Sequence, residues 1–282
     1  MSKVSAVDKV CVCERVVKEE EFRQIWITQR FERLGWERVL DWCEGVTPRI
    51  YLKAVTNWYA SLRLENEDEH PSQWRLVGDT GKGSMMMSFE TMNQIADFDS
   101  LGVDNYSYYS TNTFWSGELV QADPVGLMEI TLPNYTTGRY DRNHLSCEGK
   151  ILQNISLENI MVRLGDRGKL RMWVLRILHA LLVGTPKLSW RHITMMNIWD
   201  TRNHYKRKMI PCVRLISALI FQQNRLKDNS LLVGILKGID TIDFAQLRSG
   251  VNIYAEVLNK KAKVVDRKTG FQFEYVQRNE DK

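Results

Sequence analysis

The sequence lacks a hydrophobic run long enough to cross a membrane. Its most apolar stretch, residues 170–183, is interrupted by Arg171, Arg176 and His179, whereas a bilayer-spanning helix needs about 20 apolar residues. We therefore expect this stretch to be a helix of the protein core, and we expect no membrane partner. The first eight residues also lack the apolar segment of a secretory signal, which predicts an intracellular protein.

Cysteine is sparse and scattered, with five residues at positions 11, 13, 43, 147 and 212. An odd number at these spacings argues against a disulfide framework and fits a reducing compartment. Cys11 and Cys13 have one residue between them and no second pair at zinc-ligand spacing. His192 and His204 lie twelve positions apart, which matches neither one helix face nor a zinc finger. We expect no metal and no cofactor.

Motifs for phosphate binding and covalent catalysis are also missing. The glycine-rich segment 78–84 has no glycine five positions before its Gly-Lys pair and no Ser or Thr after the lysine, both of which a phosphate-binding loop needs. A hairpin turn is therefore expected there. No Gly-x-Ser-x-Gly motif occurs. Cys147 and His144 are close in sequence, but that proximity sets neither their geometry nor the pKa of the thiol.

A metal-dependent nuclease would need three carboxylates converging from a sheet onto two cations. The strand candidates, residues 74–77 and 85–89, carry no acidic residue. Asp97, Asp99 and Asp104 do cluster, but on a helix end and a loop, where acidic residues commonly cap helices or face solvent. The sequence therefore predicts a protein without catalytic activity and without a small-molecule substrate.

The residues that are present predict a mainly α protein, a multi-helix globular body with one or two short β-hairpins. Apolar residues make up 44% of the chain and nine of its residues are tryptophan, which favours a sizeable core. Residues 51–62 and 170–182 carry apolar side chains at the 3.6-residue period, and residues 169–183 are apolar on nearly every face. Further helices are expected at 89–96 and 189–205, capped by Ser88 and Ser189, and at 242–258. A helix that opens at Pro211 is expected to face inward with Leu215, Ile216, Leu219 and Ile220. Hairpins are expected at 74–89 and 263–275.

Four regions are predicted along the chain. Residues 1–14 form a flexible tail, and residues 15–98 form an N-terminal helical lobe with a hairpin. Residues 99–150, rich in Gly, Asn, Ser, Thr and Tyr, form an irregular connector that marks the boundary between two lobes. Residues 151–282 form a C-terminal helical lobe with a terminal hairpin.

A concentration of basic residues between positions 163 and 214 is the strongest charge pattern. This segment contains twelve basic residues and only two acidic ones, which gives it a net charge of +10, whereas the whole chain carries +5. The twelve are Arg163, Arg167, Lys169, Arg171, Arg176, Lys187, Arg191, Arg202, Lys206, Arg207, Lys208 and Arg214.

Such a charge suits contact with phosphate backbones, and Trp190, Trp199 and Tyr205 could stack with bases. DNA or RNA is the predicted partner, and the predicted binding residues are Arg191, Arg202, Lys206, Arg207 and Lys208. Two structural alternatives remain open. The cations belong to solvated faces of apolar helices, or they stabilise the C-terminal ends of helices.

Six segments, in order over residues 30–225, resemble the plant transposon protein domain, a transposon-derived family associated with retrotransposons. They are residues 33–40 (Arg-Leu-Gly-Trp-Glu-Arg-Val-Leu), 48–62, 88–95, 170–182, 185–190 and 210–219. The resemblance implies an origin in a plant nuclear genome, and the nucleus is the compartment that it favours over the cytoplasm. The family has no agreed reaction or catalytic residues, so it implies no site here.

Two classes of function follow from the sequence. One is a transposon-derived, non-catalytic protein that associates with nucleic acid through a basic face at 163–214. The other is a helical protein–protein interaction module, whose partner is another protein or a second copy of the chain. Affinity for nucleic acid that falls with salt concentration distinguishes them.

Overall fold

The computed structural model describes residues 27–44, 50–162, 168–203 and 209–224 continuously, together with Glu14 and short strands near both ends. The protein is mainly α. The helices are α1 (Ile27–Leu34), α2 (Leu52–Ser61), α3 (Phe89–Asn93), α4 (Thr111–Trp115), α5 (Leu127–Thr131), α6 (Cys147–Ile155), α7 (Met172–Val183), α8 (Trp190–Asn203) and α9 (Val213–Asn224). A π-helical turn, Ser156–Ile160, continues α6.

The strands are short and form small sheets. They are β1 (Val10–Cys11), β2 (Val16–Val17), β3 (Arg63–Glu65), β4 (Arg75–Asp79), β5 (Ser84–Met87), β6 (Met209–Ile210), β7 (Thr241–Ile242), β8 (Ile253–Glu256), β9 (Lys263–Asp266) and β10 (Gln272–Phe273). Strands β3, β4 and β5 form one antiparallel sheet in that order, and β8, β9 and β10 form another. β1 pairs with β6, and β2 with β7, in parallel.

Helix α7 is the central helix of the described structure. Ten of its twelve residues are buried, as the apolar character of nearly every face predicted. It packs against α1, α4, α5 and α6. Gly184 ends the helix in the left-handed conformation, with φ of +83°, and its N–H donates to the carbonyl of Ala180 at 2.7 Å.

The three-stranded sheet packs against α2. The predicted apolar stripe of α2 is confirmed, because every member of it is buried. The indole of Trp58 donates to the carbonyl of Met85 at 2.9 Å, and a Cβ on Gly78 would lie 2.5 Å from the carbonyl oxygen of Trp58, so the close approach of α2 to β4 needs a glycine there. The predicted hairpin is confirmed as β4 and β5. Strand β3 was not predicted.

The capping predictions for α3 and α8 are also confirmed. Ser88 and Thr91 form a reciprocal capping box at the start of α3. The hydroxyl of Ser189 accepts a hydrogen bond from the N–H of His192 at 3.2 Å, at the start of α8. Helix α9 follows Pro211, and its predicted inward residues are fully buried: Leu215, Ile216, Leu219 and Ile220.

Residues 99–150 are more ordered than the predicted connector. They contain α4, α5 and the start of α6, and Phe114, Leu127 and Leu145 join the same hydrophobic cluster as α2 and α7. Isolated bridges pair Ser107 with Leu188 and Asp141 with Lys169. This segment therefore lies against α7 as part of the core rather than between two separate lobes. Sequence periodicity missed it because its helices are only about one turn long.

Two predictions at the chain ends are wrong. The predicted flexible tail includes β1, and Glu14 is fully buried. The predicted helix at 242–258 is a strand at Ile253–Glu256, which pairs with Lys263–Asp266. Tyr254 pairs with Val265 and Ala255 pairs with Val264, and pairing with a neighbouring strand overrides helical periodicity. The terminal hairpin itself is confirmed as β9 and β10.

Candidate functional site

Arg191, one of the predicted nucleic-acid contacts, lies in the interior at the start of α8. Its Nε donates to Oδ2 of Asp99 at 2.9 Å and its Nη1 donates to Oδ1 of Asn93 at 2.6 Å. The same carboxylate accepts from the hydroxyl of Ser189 and from the N–H of Trp190. Asp99 thus caps α8 and neutralises Arg191. A buried, ion-paired guanidinium is not available to a phosphate, so this part of the predicted interface is wrong.

Arg214 is buried in the same way at the start of α9. The carboxylate of Glu14 accepts from the N–H of Arg214 at 3.0 Å and from the N–H of Leu215 at 3.2 Å, and Nε of Arg214 donates to the carbonyl of Glu14 at 3.0 Å. Burial raises the pKa of Glu14 to about 7, against the opposing effect of these hydrogen bonds and of the Arg214 charge. Glu14 therefore caps the N-terminal end of α9, which lies 200 positions away in the sequence.

Other basic side chains bind the carbonyl ends of helices. Arg202, a predicted nucleic-acid contact, donates from Nε to the carbonyl of Tyr59 at 2.8 Å and from Nη2 to that of Ala60 at 2.7 Å, both in the last turn of α2. The ammonium group of Lys187 donates to the carbonyl of Arg33, in the last turn of α1. Cations at these positions satisfy terminal carbonyls and the negative end of the helix dipole.

The remaining predicted contacts, Lys206, Arg207 and Lys208, lie outside the described residues, as do Arg163 and Arg167. Among the described members of the basic segment, only Lys169 and Arg171 are exposed. The described part of the segment therefore does not form one basic face. Trp190 is fully buried and stacks on Phe98, with ring centroids 4.2 Å apart, so it cannot stack with a base.

Arg176, from the middle of α7, organises a surface segment that we call the Arg176 loop (residues 113–126). Its side chain is 0% exposed, and all of its nitrogen atoms are used. The guanidinium donates to the carbonyls of Thr113 (2.8 Å), Phe114 (2.7 Å), Ser116 (3.3 Å) and Glu118 (3.1 Å), and to both carboxylate oxygens of Asp123. Burial acts to raise the pKa of Asp123, but hydrogen bonds and the charge of Arg176 outweigh it, and the pKa is lowered.

The far side of the Arg176 loop is fixed by its own hydrogen bonds. Oδ2 of Asp123 accepts from the N–H of Val120 at 2.7 Å, and the N–H of Asp123 donates to the carbonyl of Val120 at 2.8 Å. Pro124 restricts its own φ, and Gly126 has φ of +73°, which suits glycine. The N–H of Leu127 then donates to the carbonyl of Pro124 at 3.2 Å as α5 begins.

Two apolar side chains point into solvent from this fixed backbone. Val125 is 98% exposed and Leu119 is 53% exposed. Ile130, in α5, is 45% exposed. A Cβ on Gly126 would lie 3.3 Å from Cδ1 of Ile130 and 3.4 Å from Oε2 of Glu129, so both side chains lie beside residue 126. The Arg176 loop thus presents apolar groups from a backbone that is held on both sides.

The histidines and carboxylates do not gather into a metal-binding group in the described part of the chain. His192 is buried, and its ring contacts Trp74 and Tyr108 at 4.9 and 5.2 Å between centroids. Burial, with a smaller effect of the His70 charge, lowers the pKa of His192 to about 3. Among the described residues, no three His, Cys, Asp or Glu side chains lie close enough to hold a metal ion.

The Arg176 loop was not found from the sequence, although a signal for it was available. Arg176 lies on a helix that is apolar on nearly every face, and a buried arginine requires a carboxylate and several carbonyl acceptors. The sequence could not say that the carboxylate is Asp123, 53 positions away.

In the described residues, no helix is both long enough and apolar enough to span a bilayer.

Comparison with known proteins gives no relative from which a function can be transferred. The chain matches no protein-family profile, no curated protein and no solved structure.

Proposed function

We propose that this chain is a non-catalytic protein-interaction module of transposon-derived origin, and that the Arg176 loop is its docking element. The origin rests on the six segments that resemble the plant transposon protein domain. The docking role rests on one observation, the display of Val125 and Leu119 from a loop whose backbone is fixed by a buried guanidinium.

Rigidity is what separates this loop from ordinary exposed apolar residues. Single hydrophobic side chains on a protein surface are common and need no function. A mobile loop could turn such side chains toward the protein, but Val125 lies between Pro124 and a glycine in the left-handed conformation, and Leu119 lies between two residues whose main chains are hydrogen-bonded. A preordered loop loses little conformational entropy on binding, which favours affinity.

Photo-crosslinking tests the proposal directly. A photoreactive phenylalanine analogue replaces Val125 in one version of the chain. In the control it replaces Glu67, an exposed residue of the turn between β3 and β4. After irradiation in cells, we expect a protein adduct of discrete mass from position 125 and none of that mass from position 67. Equal labelling from both positions, or no adduct from position 125, contradicts the docking role.

Nucleic-acid association is the second candidate, and it is favoured by one local charge pattern. Residues 202–208 contain four basic residues and no acidic one. Since Arg202 donates to two carbonyls of α2, the candidate contacts are Lys206, Arg207 and Lys208. Phosphate contacts release counterions, so their affinity falls steeply with salt.

Fluorescence anisotropy with labelled single- and double-stranded DNA and RNA tests the second candidate. If it is correct, the wild-type chain binds at low salt with weak sequence preference, and Lys206→Glu with Arg207→Glu and Lys208→Glu flattens the salt dependence. The control is Lys53→Glu with Arg63→Glu and Arg75→Glu, three exposed cations from another part of the sequence. Absence of binding at low salt, or equal loss in both triple variants, eliminates this candidate.

A further inference from the structure

We infer that the Arg176 loop, with the adjoining helix α5, recognises a protein segment in which apolar side chains are flanked by lysine or arginine. The inference rests on the proposed docking role and adds the chemistry of the partner. It follows from the charges that surround the exposed apolar groups of this surface.

The charged residues within this segment are all acidic. Residues 116–131 contain Glu118, Asp123 and Glu129 and no lysine or arginine. Asp123 is neutralised by Arg176, whereas Glu118 and Glu129 are exposed. Two exposed carboxylates thus accompany the displayed apolar side chains, and no described cation forms an ion pair with either. The whole chain carries +5, so a locally acidic segment is not a consequence of its average composition.

The positions of the carboxylates relative to the apolar groups support recognition of one segment. Glu118 directly precedes Leu119. The carboxylate of Glu129 and the side chain of Ile130 both lie against Gly126, the residue that follows Val125. A partner that inserts an apolar side chain between Val125 and Ile130 would therefore place its neighbouring residues near Glu129.

Charge complementarity then decides the class of partner. A lysine or arginine beside the inserted apolar residue would form an ion pair with Glu118 or Glu129 at the edge of the interface. Charges at the edge of an interface mainly steer association and set specificity. An acidic segment would be repelled. An anionic lipid surface would be repelled by the same carboxylates, so a basic protein segment fits this surface better than a membrane does.

Selection of a random twelve-residue peptide library, displayed on phage, against the immobilised full chain tests the inference. We expect the enriched peptides to combine apolar residues with flanking lysine or arginine. An enriched peptide, synthesised with a fluorophore, should bind about tenfold more weakly to Val125→Ser, a loss typical of a central interface contact. Glu129→Gln should weaken binding and reduce its salt dependence. Leu52→Ser, a change at an exposed leucine of α2, should leave binding unchanged.

The outcomes separate the partner chemistry from the docking role. Enriched peptides that are neutral or acidic but lose affinity in Val125→Ser overturn the basic partner and leave the docking role in place. Enriched peptides whose binding is the same in Val125→Ser, Leu119→Ser and the wild-type chain overturn both. A selection that enriches no peptide also overturns both, because a preordered docking surface binds short segments.

Discussion

Three arginines in the described interior are each matched by one carboxylate. Arg176 pairs with Asp123, Arg191 pairs with Asp99, and Arg214 binds Glu14. Arginine remains charged at any physiological pH and carries five N–H donors, so its burial requires both a counter-charge and several carbonyl acceptors. At Arg176 the acceptors belong to a surface segment, and the buried charge therefore determines the conformation of that segment.

Arg176→Met should destabilise the protein by about 3–5 kcal/mol, because it leaves Asp123 buried without its counter-charge and removes one hydrogen-bond donor from each of four carbonyls. Urea unfolding followed by circular dichroism measures the change. The control is Arg171→Met at the exposed start of the same helix, which should change the free energy of unfolding by less than about 0.5 kcal/mol. A loss below about 1 kcal/mol for Arg176→Met would mean that the loop does not depend on the guanidinium.

His192 should make stability depend on pH. Its pKa is about 3 in the folded protein and about 6.5 in an unfolded chain, so the folded state resists protonation. Its contribution to stability is complete above pH 6.5 and is lost as the pH falls from 6.5 toward 3. Relative to His192→Leu, the wild-type chain should lose on the order of 1 kcal/mol per pH unit in that window.

Urea unfolding of the wild-type chain and of His192→Leu at a series of pH values between pH 7 and pH 4 measures this difference. Parallel curves for His192→Leu and the wild type would show that His192 is protonated in the folded state as readily as in the unfolded one.

Among the helices, α7 is the one on which the described core depends most. Leu178 is fully buried at its centre, whereas Val183, in its last turn, is 39% exposed. Leu178→Ala should cost about 2–5 kcal/mol, since it removes buried methyl groups and leaves a cavity. Val183→Ala, the control on the same helix, should cost less than about 1 kcal/mol. Thermal or urea unfolding compares the two, and equal losses would place the core elsewhere.

The outer edge of β5 is closed by one side chain rather than by another strand. The amide of Gln223, in α9, accepts from the N–H of Met86 at 2.9 Å and donates to its carbonyl at 2.6 Å. Gln223→Ala should cost about 1–3 kcal/mol, because the N–H of Met86 then lacks its acceptor. Gln222→Ala is the control, since its side-chain oxygen has no hydrogen-bond partner among the described residues. Urea unfolding that shows no difference between the variants contradicts this role.

Elements with strong periodicity or clear caps could be predicted from the sequence. The buried faces of α2, α7 and α9, the hairpin of β4 and β5, and the capping roles of Ser88 and Ser189 follow from local patterns. The strands Arg63–Glu65 and Ile253–Glu256 do not, because a short strand is stabilised by its neighbours in the sheet.

At the scale of the whole molecule, the candidate site could not be predicted because its components are distant in sequence. The high density of basic residues at 163–214 is real, but a sequence does not show where the matching carboxylates lie. Asp123, Asp99 and Glu14 are 53, 92 and 200 positions from the arginines that they bind. The prediction of an interface treated those charges as unpaired, whereas three of the seven described cations are buried beside carboxylates and two more bind the carbonyl ends of helices.

Some cations donate hydrogen bonds to the terminal carbonyls of helices that are distant in sequence. These bonds determine whether the chain can be cut into two fragments that fold separately. Arg30 donates to the carbonyl of Leu182, 152 positions away, and Lys187 donates to that of Arg33, 154 positions away. Each half of the molecule therefore completes helices of the other half. Gly138 lies in an exposed turn with open space around it. Two polypeptides separated there should each fail to fold alone and should reconstitute the native protein when they are mixed.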